Sequence, residues 1–148
     1  MDYAGVKRIH LIGVAGTGMG SFAGMLQAAG FAVTGSDENV YPPMSTQLAK
    51  WGIEVMTGYR AENLDRARPD LVVEGNVVRA VNPEASAVRE RGLPRVSFPQ
   101  ALGDLFLARR HGVVVVGTHG KTTTSALLAF LLHHAGRVPS FLVGGVTR

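Results

Sequence analysis

Two stretches of this 148-residue chain have residue types suited to holding phosphate. The first is Gly13-Val14-Ala15-Gly16-Thr17-Gly18-Met19-Gly20. The second is Gly117-Thr118-His119-Gly120-Lys121-Thr122-Thr123. Glycine lets a backbone turn sharply and approach a ligand closely. A helix opening directly behind it offers unpaired N–H groups and a partial positive charge. In the second stretch the Lys121 ammonium would neutralise terminal phosphate oxygens, and the Thr122 hydroxyl would ligate Mg²⁺. Neither match is strict. In the G-x-G-x-x-G register Gly13 and Gly18 fit, but the middle position is Ala15. The pattern G-x-x-x-x-G-K-[ST] would need glycine where Val115 stands. Glycines needed only for close strand–helix packing would also account for the first stretch. Gly-Lys-Thr at a strand-to-helix turn is harder to explain without a phosphate.

Other polar residues are weaker candidates. Asp37 lies 19 residues past Gly18, where dinucleotide folds often meet a ribose hydroxyl, though a loop carboxylate or a cap fits as well. His119 could touch phosphate, or its backbone alone could matter. His133 and His134 are neighbours and would face about 100° apart on a helix, which is poor metal geometry. Met19, Met44 and Met56 have no ligand spacing and read as packing residues. Trp51 reads as an apolar cover. With no cysteine, a disulfide scaffold, a zinc ribbon and a thiol nucleophile are excluded.

Short apolar runs alternating with helical patterns must position these residues. Strands are expected at Arg8–Gly13, Phe31–Ser36, Ile53–Met56, Asp70–Glu74 and Arg95–Ser97. Helices are expected at Gly18–Ala29, Ser45–Trp51 with Ser45 as N-cap, Asn82–Arg91 and Pro99–Leu107. This order implies an α/β fold: a Rossmann-like, mostly parallel sheet with helices on both faces. Arg109-Arg110-His111-Gly112 reads as a linker. Val113–Val116 then reads as a strand buried on both faces, Thr122–Ala135 as a helix apolar nearly all round, and Phe141-Leu142-Val143 as a further strand. The expected organisation is one complete unit at 1–107, followed at 108–148 by the opening strand, phosphate loop and helix of a second.

Composition supports a packed core: 46% of residues are hydrophobic and 18% charged. Nineteen glycines exceed the usual share of about 7% and gather at turns. Net charge is +4, but its distribution is uneven. The last acid is Asp104, and five basic residues follow it. That basic segment lacks the interleaved aromatics of a single-strand binder, so no nucleic-acid partner is expected. No apolar run reaches about 18 residues and no h-region follows Met1–Arg8, so neither a membrane span nor a secretory signal is expected, and the cytoplasm is the default.

Gly117-Thr-His-Gly-Lys-Thr-Thr-Thr124 resembles the ATP loop of the Mur ligase family, including its shortened form. Gly16-Thr17-Gly18-Met19-Gly20 resembles the family's UDP-sugar loop, and Phe141-Leu142-Val143-Gly144-Gly145 its segment after the ATP-loop helix. Within the family, Gly35-Ser-Asp-Glu-Asn-Val-Tyr-Pro-Pro-Met-Ser-Thr-Gln-Leu48, with Gly75-Asn76 and Asn82-Pro83, is similar to the branch of peptidoglycan recycling. That branch joins UDP-N-acetylmuramate to a murein tripeptide. The biosynthetic branch, which adds L-alanine, usually has serines at the Gly75-Asn76 position.

The resemblance implies an ATP-dependent ligase acting through an acyl phosphate, with ATP and Mg²⁺ as cofactors. It places the UDP-sugar against Ala15, Gly16, Thr17, Gly18, Met19, Gly20, Ser36, Asp37 and Asn76. ATP falls to Gly117, Thr118, His119, Gly120, Lys121, Thr122 and Thr123. Lys121 and Thr122 are then catalytic, with Thr122 on the metal. Family members have three domains, so the chain is expected to be an N-terminal part that binds UDP-sugar but is inactive alone. The murein tripeptide would be met through the domains not present. An apolar segment at 113–143 without its sheet should self-associate, dock on the first unit or be disordered. An NAD-binding oxidoreductase module would explain the first loop only. A P-loop switch or transport ATPase would explain the second only. A non-enzymatic UDP-sugar sensor is the remaining alternative.

Overall fold

The computed structural model describes residues 3–108 and 110–143. Arg109 of the expected linker, and Gly144 to Arg148 with the Gly144-Gly145 pair, lie outside them. Five strands form one parallel sheet: β1 (Arg8–Ile12), β2 (Ala32–Asp37), β3 (Glu54–Thr57), β4 (Leu71–Glu74) and β5 (Arg95–Ser97), in the order β3-β2-β1-β4-β5. The helices between them are α1 (Thr17–Ala28), α2 (Met44–Lys50), α3 (Glu62–Ala67) and α4 (Pro83–Glu90). After β5 come α5 (Phe98–Leu102), one π-helical turn (Gly103–Leu107) and finally α6 (Lys121–His134). The expected Rossmann-like α/β architecture is present.

Alternation along β1 assigns the two faces. Ile9 and Leu11 pack with Phe22, Ala23 and Leu26 of α1, Leu48 of α2 and Ala101 of α5. Ile12 faces the other way, with Val72 of β4, Leu64 of α3 and Val88 of α4. Close approach needs glycine at two places. A Cβ on Gly35 would stand 2.6 Å from Val14, and one on Gly24 2.6 Å from the Trp51 ring. Trp51 therefore covers α1, as its apolar character suggests. Met19, Met44 and Met56 are buried packing residues.

Four local readings need correction. Ser45 does not cap α2, because the helix starts one residue earlier with Pro43 in the cap position. Helix α3 has no counterpart in the sequence reading. It spans six residues and ends at Arg68 in the left-handed region (φ 43°), without the glycine that usually marks a stop. Val113–Val116 is not a strand, and Val114 and Val116 are 77% and 83% exposed. A strand buried on both faces needs sheet neighbours on both sides, and the described residues supply none here. Phe141-Leu142-Val143 also pairs with no strand among the described residues. Leu142 instead packs, half-buried, against the α1 side of the first core. Among the described residues no helix is long and apolar enough to cross a membrane.

Candidate functional site

The crevice at the carboxyl ends of β1 and β4 is where the chain reverses its direction of travel across the sheet, and open parallel sheets take ligands there. Residues 13–16 form the turn between β1 and α1. Gly13 has φ 85°, a conformation open to glycine. The N–H groups of Gly13 and Val14 both donate to the Ser36 carbonyl (2.8 and 3.1 Å), and that of Ala15 donates to Asp37 Oδ2 (2.9 Å). The loop is thereby tied to β2 before α1 begins. Helix α1 has Gly16 as N-cap with no side-chain cap and no acid in its first turn. Its leading N–H groups are free of side-chain acceptors, as an anion site requires.

The sequence-predicted UDP-sugar residues divide by depth. Gly16 and Thr17 are exposed, Ala15 and Gly18 half-buried, and Met19 and Gly20 buried beneath them. Asp37 is bound on both oxygens, accepting from Ala15 and, at 3.1 Å, from the Asn39 N–H. Ser36 is fully buried, and its hydroxyl has no partner among the described residues. The Gly75 N–H donates to the Ile12 carbonyl (3.0 Å), which sets the Gly75-Asn76 turn beside the first loop and leaves Asn76 exposed.

Several residues of the crevice and its support were not anticipated. Tyr59 and Val78 flank Gly13: a Cβ there would stand 3.4 Å from Val78 Cγ2 and 3.8 Å from Tyr59 Oη. Burial, then Asp37, Glu38 and Glu84, push the Tyr59 phenol up to about 12. Below them lies a fully buried polar pair. His10 Nε2 donates to Glu84 Oε1 (2.6 Å), and His10 Nδ1 is 2.8 Å from Thr34 Oγ1. Glu84 Oε2 accepts from Asn63 Nδ2 (2.9 Å) and from the Arg60 N–H (3.3 Å). Asn82 places Glu84 by capping α4, accepting from the Glu84 and Ala85 N–H groups (both 3.0 Å) with Pro83 behind it. A histidine inside an apolar strand run was the available signal.

The second loop is formed but stands alone. Gly120 takes φ 76° as the N-cap of α6, which carries no side-chain cap and no acid in its first turn. Lys121 Nζ donates to the carbonyls of Gly117 (2.7 Å) and Thr118 (3.3 Å), so the ammonium lies over the loop. Gly117 to Thr123 are all exposed, His119 included. The loop suits phosphate. Among the described residues no cluster of three His, Cys, Asp or Glu is present, and no acidic residue follows Asp104 in the sequence. His133 and His134 lie at the helix end with ring centroids 6.0 Å apart in an edge-on arrangement.

A family model described as the Mur ligase family, catalytic domain, matches residues 8–110. The chain belongs to the Mur ligase family. It is 48% identical over 139 residues to the UDP-N-acetylmuramate–L-alanyl-γ-D-glutamyl-meso-2,6-diaminoheptandioate ligase of Escherichia coli, covering 94% of this chain and 30% of that protein. It is 44% identical over 142 residues to the UDP-N-acetylmuramate–L-alanine ligase of Aromatoleum aromaticum, covering 95% and 29%. Among solved structures, the UDP-N-acetylmuramate:L-alanyl-γ-D-glutamyl-meso-diaminopimelate ligase of Neisseria meningitides superposes with a TM-score of 0.91 at 46% identity. That match covers 95% of this chain and 44% of the other. The chain thus spans about 30% of the length of the curated Mur ligases it matches.

Proposed function

We propose that this chain is the nucleotide-sugar-binding part of a Mur ligase that joins UDP-N-acetylmuramate to a murein tripeptide in peptidoglycan recycling. The observation that carries the reading is the uncapped, acid-free start of α1 at the crevice between β1 and β4. A diphosphate there would meet the N–H groups of the first turn and the positive end of the helix. Thr17 and Asn76 would be exposed to the same ligand, and Asp37 would act by shaping the loop through Ala15. The relatives named for this tripeptide and for L-alanine differ little in identity, 48% against 44%, so the L-alanine ligase is the second reading. An NAD module is less favoured, because Asp37 already bonds the loop on one oxygen and Asn39 on the other.

In the whole enzyme, ATP would phosphorylate the lactyl carboxylate to an acyl phosphate. The peptide amine would then attack, and phosphate would leave from the tetrahedral intermediate. Positioning and charge neutralisation carry the first step. Residues 1–107 form the UDP-sugar domain in this reading, and 108–148 open the ATP domain. Gly117 to Thr123 would cradle ATP phosphates, with Lys121 and Thr122 as the catalytic side chains. Thr122 would hold Mg²⁺ through its hydroxyl, and the ion would neutralise phosphate charge there.

Calorimetric titration with UDP-N-acetylmuramate, with NAD run in parallel, tests the reading. Heat with the UDP-sugar and none with NAD is expected. Binding of NAD alone would overturn it.

A further inference from the structure

Tyr59 stands at the crevice with an unused donor. Its ring packs on the Ile12, Leu64 and Val72 core, and its hydroxyl faces the start of the first glycine loop, 3.8 Å from where a Gly13 Cβ would be. The Glu38 backbone bonds the phenol oxygen, and no group among the described residues accepts the phenol proton.

The segment bearing Tyr59 is held on both sides. The Gly58 N–H donates to the Asp37 carbonyl (2.8 Å), and the Gly58 carbonyl accepts from Asn63 Nδ2 (2.9 Å). The Arg60 N–H donates to Glu84, which is fixed by His10. Asp37 in turn holds Ala15. One chain of hydrogen bonds therefore runs from the buried His10–Glu84 pair, past Tyr59, into the loop. The burial and negative neighbours that raise the Tyr59 pKa to about 12 keep the phenol protonated at neutral pH. A protonated phenol is a neutral donor and suits an oxygen acceptor.

We propose that Tyr59 is a ligand-binding residue, its hydroxyl donating a hydrogen bond to an acceptor oxygen of the nucleotide diphosphate seated at the start of α1. The inference rests on the nucleotide-sugar reading above. A site built around a hydrogen-bond donor also discriminates: a ligand lacking that oxygen leaves the phenol proton unpaired.

The test is calorimetric titration of the chain and of Tyr59→Phe with UDP-N-acetylmuramate, UDP and pyrophosphate, with Tyr41→Phe at an exposed tyrosine as control. Tyr59→Phe keeps the packed ring and removes the hydroxyl with its Glu38 backbone contact, so its melting temperature should fall only slightly. Affinity for UDP-N-acetylmuramate and UDP should fall about three- to tenfold in Tyr59→Phe and stay unchanged in Tyr41→Phe. A parallel fall for pyrophosphate supports the diphosphate acceptor; a fall confined to the uridine-bearing ligands overturns it. Equal affinity of Tyr59→Phe and the unsubstituted chain overturns the inference and leaves the nucleotide-sugar reading standing. No binding by the unsubstituted chain overturns both.

Discussion

The two glycine loops share a local design and differ in what lies beneath them. Both lead into a helix with glycine at the N-cap, no side-chain cap and no acid in the first turn. The first is tied to β2 through Ser36 and Asp37, and α1 buries Phe22, Ala23 and Leu26 against the sheet. The second follows four valines that pair with no strand among the described residues, and in α6 only Ala129 is buried, with Leu127, Phe130 and Leu131 more than half exposed. A glycine loop's backbone shape is therefore set by its own residues. The sheet decides whether that shape is held against a ligand.

If that contrast is right, the largest effect on stability belongs to the polar pair under the first loop. His10→Leu leaves a buried carboxyl without its main partner. It should cost about 3 kcal/mol or more in a urea titration. Val114→Ser in the second region should stay within about 0.5 kcal/mol of zero, as surface changes do. Equal costs at the two positions would erase the distinction.

Gly18→Asp separates binding from folding. Gly18 has room for a side chain, its nearest neighbour being Phe98 Cε1 at 3.8 Å from the added Cβ. A carboxylate in the first turn of α1 favours the helix but repels a diphosphate. UDP-N-acetylmuramate affinity should drop about tenfold or more, while the melting temperature holds or rises. Thr122→Asp, the same charge in the second loop, should leave that affinity unchanged. If Thr122→Asp weakens it equally, the UDP-sugar is not on the first loop.

Much of the first unit is legible in the sequence, because a parallel strand buried on both faces is a run such as Leu71-Val72-Val73, and glycines at 30 and 92 mark helix ends. The failures share one cause: they depend on partners distant in sequence. Val113–Val116 reads as a buried strand on composition alone, since nothing in the run reports whether neighbouring strands exist. Helix α3 is short, polar and anchored through Leu64, so its periodicity is too weak to notice. Tyr59 and Glu84 acquire their roles from Gly13, Asp37 and His10, between 22 and 74 residues away. Glycine patterns reveal the loop's backbone, but the side chains around it come from other strands.

Exposed apolar side chains on α6 carry a smaller expectation. Burying one leucine is worth about 1.5–3 kcal/mol, so Leu127, Phe130 and Leu131 together favour association at high concentration. Phe130→Glu with Leu131→Glu should shift light scattering toward the monomer without moving the urea midpoint. A chain already strictly monomeric at high concentration would show that Leu142 packing on the first core suffices.

Acid sharpens the comparison most gently, since every acidic residue lies at or before Asp104. Asp70 opens β4 and accepts from the Lys7 and Arg8 N–H groups (3.1 and 2.8 Å) and from Arg8 Nη2 (2.8 Å), joining the starts of β1 and β4. Hydrogen bonds from Arg8, side chain first, then backbone, hold its carboxyl well below the usual carboxylate range. A folded pKa below the unfolded one, near 3.9, means that the stabilisation is complete above about pH 5 and is lost as pH falls through the folded value. The site faces water, with Arg8 half exposed, so solvent screening keeps the effect small. The urea midpoint of Asp70→Asn should accordingly lie slightly below that of the unsubstituted chain at pH 7 and 5, and the gap should narrow as pH falls below about 4. A gap that widens as pH falls would reverse the sign and remove Asp70 as the acid-sensitive tie of the first unit.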